Sequence, residues 1–342
     1  MKKKVAVVLL NLGGPDSLKA VGPFLFNLFH DPAILRISQP FRWLLAHLIS
    51  RCRTKKAMAI YQKMGGKSPL LEHTQAQALA LEQALQSHKT SVYRVFIAMR
   101  YWHPFTAETI HQVQQFDPDQ VVLLPLYPQF STTTTASSFK EWQQGCTQKN
   151  FKVPTQNVCC YFDDQDFIRA HSMILLPFYH QAKEYGQPRL LFSAHSLPQK
   201  VVDAGDPYQK HLEHSVQKIV SYLKEVLGHP IDYEIGYQSR VGPLSWLTPS
   251  TEDCLTKAGK EGVPVVVIPI AFVSEHSETL VELDEDYYEY SKKVGIPFYG
   301  RVPALGCHPF FIQSLVNQVL NQAPSYCCLG TQNPCPKMLA RF

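Results

Sequence analysis

Val5-Ala6-Val7-Val8-Leu9-Leu10-Asn11-Leu12-Gly13-Gly14-Pro15 follows the basic start Met1-Lys2-Lys3-Lys4. A basic start and an apolar run are the first two parts of a secretory signal, but the small-x-small cleavage site that completes one is missing. The run stops instead in a Gly-Gly-Pro turn, as a strand buried on both faces does at its carboxyl end. Read as a strand, it predicts a parallel α/β fold, and the pattern recurs down the chain. Near-continuous apolar, β-branched runs lie at 93–99, 121–126, 157–161, 190–194, 233–238, 265–270 and 298–301. Helical spacing separates them at 71–87, 106–115, 167–184, 208–227, 251–258, 278–292 and 310–322. Such alternation implies parallel sheets joined by right-handed crossovers. The eight strands divide evenly about Asp163-Asp164. The expectation is therefore an α/β protein of two similar Rossmann-like domains, residues 1–163 and 164–322, each a four-stranded parallel sheet flanked by helices, with a ligand cleft between them.

Composition narrows the classes further. With 342 residues, 45% hydrophobic and 18% charged, the chain is too apolar for disorder and long enough for two cores. No apolar run reaches the ~18–20 residues of a membrane-spanning helix, so a cytosolic protein is expected. The net charge of +5 is modest and lacks an aromatic-basic stripe, which argues against a nucleic-acid partner. Gly65-Gly66-Lys67-Ser68-Pro69 and the Gly13-Gly14 turn offer tight backbone to a ligand, or are mere turns. Neither matches a phosphate-loop or dinucleotide pattern. Nine cysteines, an odd number, argue against a disulfide framework. Cys52, Cys146, Cys254 and Cys307 are scattered singly as core thiols are, whereas Cys159-Cys160 and Cys327, Cys328 and Cys335 cluster.

Two strand ends carry candidate chemistry. His195, in Ser193-Ala194-His195-Ser196-Leu197-Pro198, ends its strand where a parallel sheet binds ligands, and is either a structural histidine or a metal ligand and proton acceptor. The strand at 265–270 runs into Ser274-Glu275-His276-Ser277-Glu278, and Glu278, Glu282 and Asp286 share one face of a helix at spacings of four. That row is a solvated acidic face, or a path for a cation or for protons leaving a buried site. Glu275 and His276 are candidate ligands or partners of ligands. Tyr61 and Arg100-Tyr101-Trp102-His103 supply aromatic surface and one fixed positive charge, and Tyr127–Thr135 is polar enough to line a cleft. Residues 17–57 are too long for a simple connection and combine Phe24, Phe41, Trp43, Leu44 and Leu48 with Arg36, Arg42, Arg51, Arg53, Lys55 and Lys56. They form either a helical pair packed on its own domain or an apolar lip with a basic rim.

Taken together, these segments resemble the ferrochelatase family. The matching elements are LNLGGP at Leu10–Pro15, YQKMGGKSP at Tyr61–Pro69, MRYWHP at Met99–Pro104, YPQFSTTT at Tyr127–Thr134, FSAHSLP at Phe192–Pro198, GDPY at Gly205–Tyr208, YQSRVGPLSWLTP at Tyr237–Pro249 and SEHSETLVELD at Ser274–Asp284, in family order across nearly the whole chain. The resemblance implies insertion of Fe(II), a substrate, into protoporphyrin IX with loss of two protons to give protohaem. It makes His195 the active-site histidine and Glu278 the carboxylate opposite. Glu275, His276, Glu282 and Asp286 become a proton or metal relay. Leu12, Arg53, Tyr61, Arg100, Tyr101 and Ser239 become porphyrin contacts, with Arg100 available to a propionate or a pocket carboxylate and the Gly242-Pro243 turn beside Ser239. The lip at 17–57 would rest peripherally on the inner face of the cell membrane. Some members hold a 2Fe–2S cluster on a C-terminal extension. Here 323–342 is such an extension, and Cys327, Cys328 and Cys335 with Cys159 or Cys160 would supply the four thiolates. The tail spacing departs from the family's patterns, so free thiols or a zinc site stand beside that reading. Rivals are a coproporphyrin III, cobalt or nickel chelatase and a non-catalytic haem carrier. Monomer and homodimer are both compatible with the sequence.

Overall fold

The computed structural model describes residues 2–320 apart from Val241 and Pro243. The chain divides into two compact units, one of residues 2–160 with 315–320 and one of residues 161–314. Each is built on a four-stranded, wholly parallel sheet.

In the first unit the strands are β1 (Lys3–Asn11), β2 (Ser91–Met99), β3 (Gln120–Pro125) and β4 (Thr155–Asn157), in the order β2-β1-β3-β4. The helices are α1 (Val21–His30), α2 (Gln39–Lys63), α3 (Leu70–Gln86), α4 (Thr106–Phe116) and α5 (Thr135–Gln148). Side chains alternate across a strand. Accordingly Ala6, Val8 and Leu10 face one side, where Ile110 and Val113 of α4 and Phe139 and Trp142 of α5 complete a buried core. The edge strand β2 is protected by side chains. Glu82 Oε2 accepts from the Val95 N–H at 2.7 Å, Gln86 Nε2 donates to the Tyr93 carbonyl at 3.0 Å, and Thr109 Oγ1 donates to the Ile97 carbonyl at 2.6 Å. Unpaired edge groups invite another chain, and these contacts close that opening.

The second unit has β5 (Arg189–His195), β6 (Asp232–Gln238), β7 (Val265–Pro269) and β8 (Tyr299–Arg301), in the order β6-β5-β7-β8. Around them lie α6 (Gln165–Lys183), α7 (Gln199–Asp203), α8 (Tyr208–Leu227), α9 (Thr251–Glu261), a π-helix (Glu278–Asp286) and α10 (Tyr287–Lys293). The last described helix, α11 (Pro309–Leu320), starts in this unit, and its residues 315–320 belong to the first. Leu191, Val265 and Val267 pack on Leu255 and Ala258 of α9 and Leu283 of the π-helix.

All eight expected strands form. The fourth pairs earlier than expected, at 155–157, in register with Val121–Leu123 of β3. The helix α5 was missed because Ser131–Ser138 is rich in Thr and Ser, which compete with helical hydrogen bonds. The segment expected as a single helix over 278–292 is a π-helix followed by α10, and at the junction the Tyr287 N–H donates to the Glu282 carbonyl, five residues back. Residues 17–57 do contain a helical pair, α1 and α2.

Candidate active site

Period-two alternation decides where His195 points. Leu191, Ser193 and His195 share one face of β5, and that face packs against α9 and the π-helix. Register sets Gln238, the last residue of β6, directly beside His195. Gly236, two residues earlier, has no room for a Cβ, which would lie 3.0 Å from the Thr251 Cα, so the start of α9 rides close on this face. The π-helix then brings Glu278 over the carboxyl end of the sheet.

The result is a connected polar chain. His195 Nδ1 lies 2.9 Å from Glu278 Oε2. Gln238 Nε2 and Ser239 Oγ donate to the same oxygen at 3.2 and 3.3 Å. Ser193 Oγ donates to Gln238 Oε1 at 2.5 Å and so holds the amide with its NH₂ toward Glu278. The Tyr208 hydroxyl donates to the His195 carbonyl at 3.1 Å. Ser239 is a non-glycine residue at φ 63°, a left-handed conformation costing on the order of 1–3 kcal/mol. From there its N–H donates to Glu282 Oε1 at 3.1 Å and its hydroxyl to Glu282 Oε2 at 2.6 Å. Among the described residues, His195 Nε2 and Glu278 Oε1 make no hydrogen bond, and the His195 side chain retains 42% of its exposure. The site thus presents one imidazole and one carboxylate lone-pair position.

Electrostatics separates the two carboxylates. Burial opposes the charge on Glu278, but the His195 charge and hydrogen bond outweigh it and hold the acid down at about 2. Burial would lower His195, and the Glu278 charge and hydrogen bond reverse this, raising it above 6.5. Glu282 is pushed up by burial and by the neighbouring Glu278 charge. Two acids with opposed shifts on one helix are suited to distinct proton roles.

The rest of the acidic run is divided. Glu275 Oε1 accepts from Arg301 NH1 at 2.6 Å and from the Ala304 N–H at 2.9 Å, and the same guanidinium binds Asp284 through Nε at 2.7 Å and through NH2. His276 is lowered by burial, and its Nε2 is buried without a hydrogen bond. Asp286 is exposed at the far end of the π-helix. Gln238, Ser193 and Tyr208 were missed as site residues. The signal available was the position of Gln238 at a strand end and of Tyr208 in the GDPY motif.

In the first unit, Arg100 and Tyr101 lie at the same carboxyl edge as Leu12, because the Arg100 N–H donates to the Asn11 carbonyl and the Tyr101 N–H to the Leu12 carbonyl. Tyr101 is only 1% exposed, packed with Val21, Phe24, Leu25 and Tyr61, and Leu12 packs at the margin of this cluster. Its hydroxyl donates to Asp31 Oδ2 at 2.8 Å, and Arg100 NH2 lies 2.8 Å from the same oxygen. Of the two expectations for Arg100, the structure provides the carboxylate partner. Arg53 is half-buried with its guanidinium 5.7 Å from the centre of the Phe29 ring. Gly13, at φ 85°, and Gly14, whose added Cβ would meet Ser68 at 2.4 Å, bind the first two glycine turns to their neighbours. The Ser68 N–H donates to the Pro15 carbonyl at 2.8 Å. Cys159 and Cys160 are buried. Cys327, Cys328 and Cys335, the whole extension 323–342 and Pro243 lie outside the described residues.

Comparisons with known proteins identify the family and the fold. The family model described as Ferrochelatase matches residues 4–323. A ferrochelatase of Wolbachia sp. subsp. Drosophila simulans (strain wRi) is 52% identical over 318 residues, covering 93% of this chain and 99% of the relative. One from Caulobacter vibrioides (strain NA1000 / CB15N) is 52% identical over 320 residues, covering 93% and 90%. Among solved structures, SirB from Bacillus subtilis with Fe3+ superposes with a TM-score of 0.52 at 12% identity, covering 92% of this chain and 94% of that one. CbiX, the terminal enzyme for biosynthesis of siroheme in denitrifying bacteria, gives 0.51 at 12% identity, covering 93% and 98%. These two likenesses show a shared fold.

Proposed function

This chain belongs to the ferrochelatase family, enzymes of haem synthesis that insert iron into a porphyrin, and from that premise we propose that its reaction is insertion of Fe(II) into protoporphyrin IX, with His195 as the proton acceptor. The observation that carries this is the His195 Nδ1–Glu278 Oε2 contact at 2.9 Å at the carboxyl end of the second unit's sheet. In the neutral state Nδ1–H donates to Glu278, which leaves the Nε2 lone pair for a pyrrole N–H. Each of the two pyrrole protons in turn forms an imidazolium that the Glu278 carboxylate stabilises. The proton then leaves by way of the carboxylates, and Glu282, whose affinity for a proton is raised, is the acceptor along the π-helix. Imidazole and carboxylate together suit a borderline, exchangeable Fe(II), with Glu278 Oε1 the oxygen open to it. Binding a bent macrocycle, whose nitrogen lone pairs tilt out of plane, would favour the transition state over the flat substrate. Arg301 occupies Glu275 and leaves Glu282 as the better relay residue. Leu12, Tyr61, Arg53 and Ser239 are proposed porphyrin-site residues, with Tyr101 backing the wall. The test is an anaerobic assay of Fe(II) insertion into protoporphyrin and coproporphyrin. Turnover is expected with protoporphyrin and to be lost in His195→Ala. Normal turnover of that variant at saturating iron would remove the assignment.

Two finer readings accompany this one. We propose that α2 touches a lipid surface. Phe41 and Leu44 are 68% and 62% exposed, Trp43 and Leu48 are exposed beside them, and Arg42, Arg51, Lys55 and Lys56 lie along the same helix. Among the described residues no helix is long and apolar enough to cross a membrane. We also propose a 2Fe–2S cluster on Cys327, Cys328, Cys335 and one of Cys159 and Cys160. Cys159 and Cys160 are adjacent and both buried, and one of the two serves. The chain leading toward the tail, 315–320, belongs to the same unit as both. A colourless, iron-free anaerobic preparation would eliminate the cluster.

A further inference from the structure

Each of the three nitrogens of the Arg100 guanidinium has a partner. Its Nε donates to Ser137 Oγ at 2.8 Å, NH2 lies 2.8 Å from Asp31 Oδ2, and NH1 lies 3.4 Å from Glu141 Oε2. Asp31 is buried at the carboxyl end of α1, where its other oxygen accepts the Ala33 N–H at 2.8 Å. The hydroxyls of Tyr101 and Ser137 also donate to Oδ2, at 2.8 and 2.5 Å. Two carboxylates around one guanidinium leave a formal excess of one negative charge at the carboxyl edge of the sheet, the edge at which parallel sheets bind ligands. A ligand carboxylate placed there would meet like charge. Arg36, which donates to Thr132 Oγ1 at 3.1 Å, and Arg53 over Phe29 have no carboxylate partner among the described residues.

We propose that Asp31 and Glu141 determine the carboxylate preference of this enzyme. By holding Arg100 between them they leave this edge without a free positive charge, so it takes a side of the macrocycle that carries no carboxylate, and Arg36 and Arg53 bind the propionates. The pair acts through Arg100 and is a positioning pair. A macrocycle with carboxylates on one side only is accepted, and one with four around its rim is rejected.

This inference rests on the porphyrin reading above. Wild type, Asp31→Asn and Glu141→Gln are compared with protoporphyrin, which has two carboxylates, and coproporphyrin, which has four. Fe(II) insertion is measured anaerobically, and binding of the metal-free porphyrins by fluorescence quenching. Asn keeps the acceptor for the Ala33 N–H, and the Tyr101 and Ser137 hydroxyls can turn to accept from its NH₂. The expected result is a coproporphyrin-to-protoporphyrin ratio of kcat/KM that rises about tenfold in Asp31→Asn, the size of one charge-assisted contact. A smaller rise is expected in Glu141→Gln, carried by KM and diminished by added salt. An equal fall for both porphyrins, or an unchanged ratio in folded variants, overturns the proposal. Glu141 is partly exposed, so its variant tests the pair even where Asp31→Asn fails to fold. Wild type that metallates neither porphyrin defeats the functional reading instead, and the binding ratios still judge the pair.

Discussion

At the scale of single residues, the chemistry depends on how one carboxylate biases one imidazole. Burial pulls His195 toward the neutral form, and Glu278 overcomes it. The acid limb of kcat/KM, which reports the loss of the neutral base, is therefore expected above pH 6.5 in the wild type. In Glu278→Gln the larger raising influence is gone, while burial and the weaker Glu282 charge remain, so the residual activity should show this limb displaced to lower pH. A limb that stays in place would show that it belongs to another group. In the first unit, Tyr101→Phe removes one donor to the Asp31 carboxylate while keeping the ring in its cluster. It should cost about 1.5–3 kcal/mol, the range for hydrogen bonds to charged groups, read from urea unfolding. His195 was legible in the sequence because strand ends are local features. Gln238, which donates to its partner Glu278, and Ser193, which holds Gln238, were not, since hydrogen bonding between neighbouring strands depends on a register that no local pattern states.

At the scale of elements, the π-helix is the main departure from periodic reading. The four-residue spacing of Glu278, Glu282 and Asp286 predicts a shared α-helical face. The wider i→i+5 turn keeps Glu278 and Glu282 on the site while Asp286 ends in solvent. Arg301, at the end of β8, bridges Glu275 and Asp284 and so ties the segment before this element and its last turn to the sheet. On β2, Glu82→Ala exposes the Val95 N–H and should cost about 1–3 kcal/mol. It should also speed hydrogen exchange at that amide more than at its neighbours. On α2, Leu44→Glu with Leu48→Glu should leave the melting temperature within a few degrees of wild type, because both side chains are already in water. The same pair should abolish retention on anionic vesicles. Retention equal to wild type would remove the lipid contact.

At the scale of the molecule, stability and chemistry share the His195–Glu278 pair, and pH separates their demands. The raised His195 contributes stability that is complete below its ordinary value of 6.5 and is lost as pH rises through the folded value. The depressed Glu278 contributes stability that is complete above its ordinary value of 4.5 and is lost as pH falls toward about 2. The difference in unfolding free energy between wild type and Glu278→Gln should accordingly be greatest between pH 4.5 and 6.5 and shrink on either side. A difference that fails to shrink below pH 4.5 and above pH 6.5 would contradict the pairing. The sequence by itself determined two α/β halves, eight strands and a histidine at a strand end, because alternation, helical spacing and turn residues act within a few positions. It also carried the motifs by which the family is recognised. The resemblance set Glu278 opposite His195, but only the tertiary structure gave their direct contact at 2.9 Å, 83 positions apart. It likewise decided that the helix bearing Glu278 is widened, and that Arg100 is spent on Asp31 rather than left free. Each of these rests on a contact between distant segments, where burial and charge outweigh what neighbours in the chain prefer.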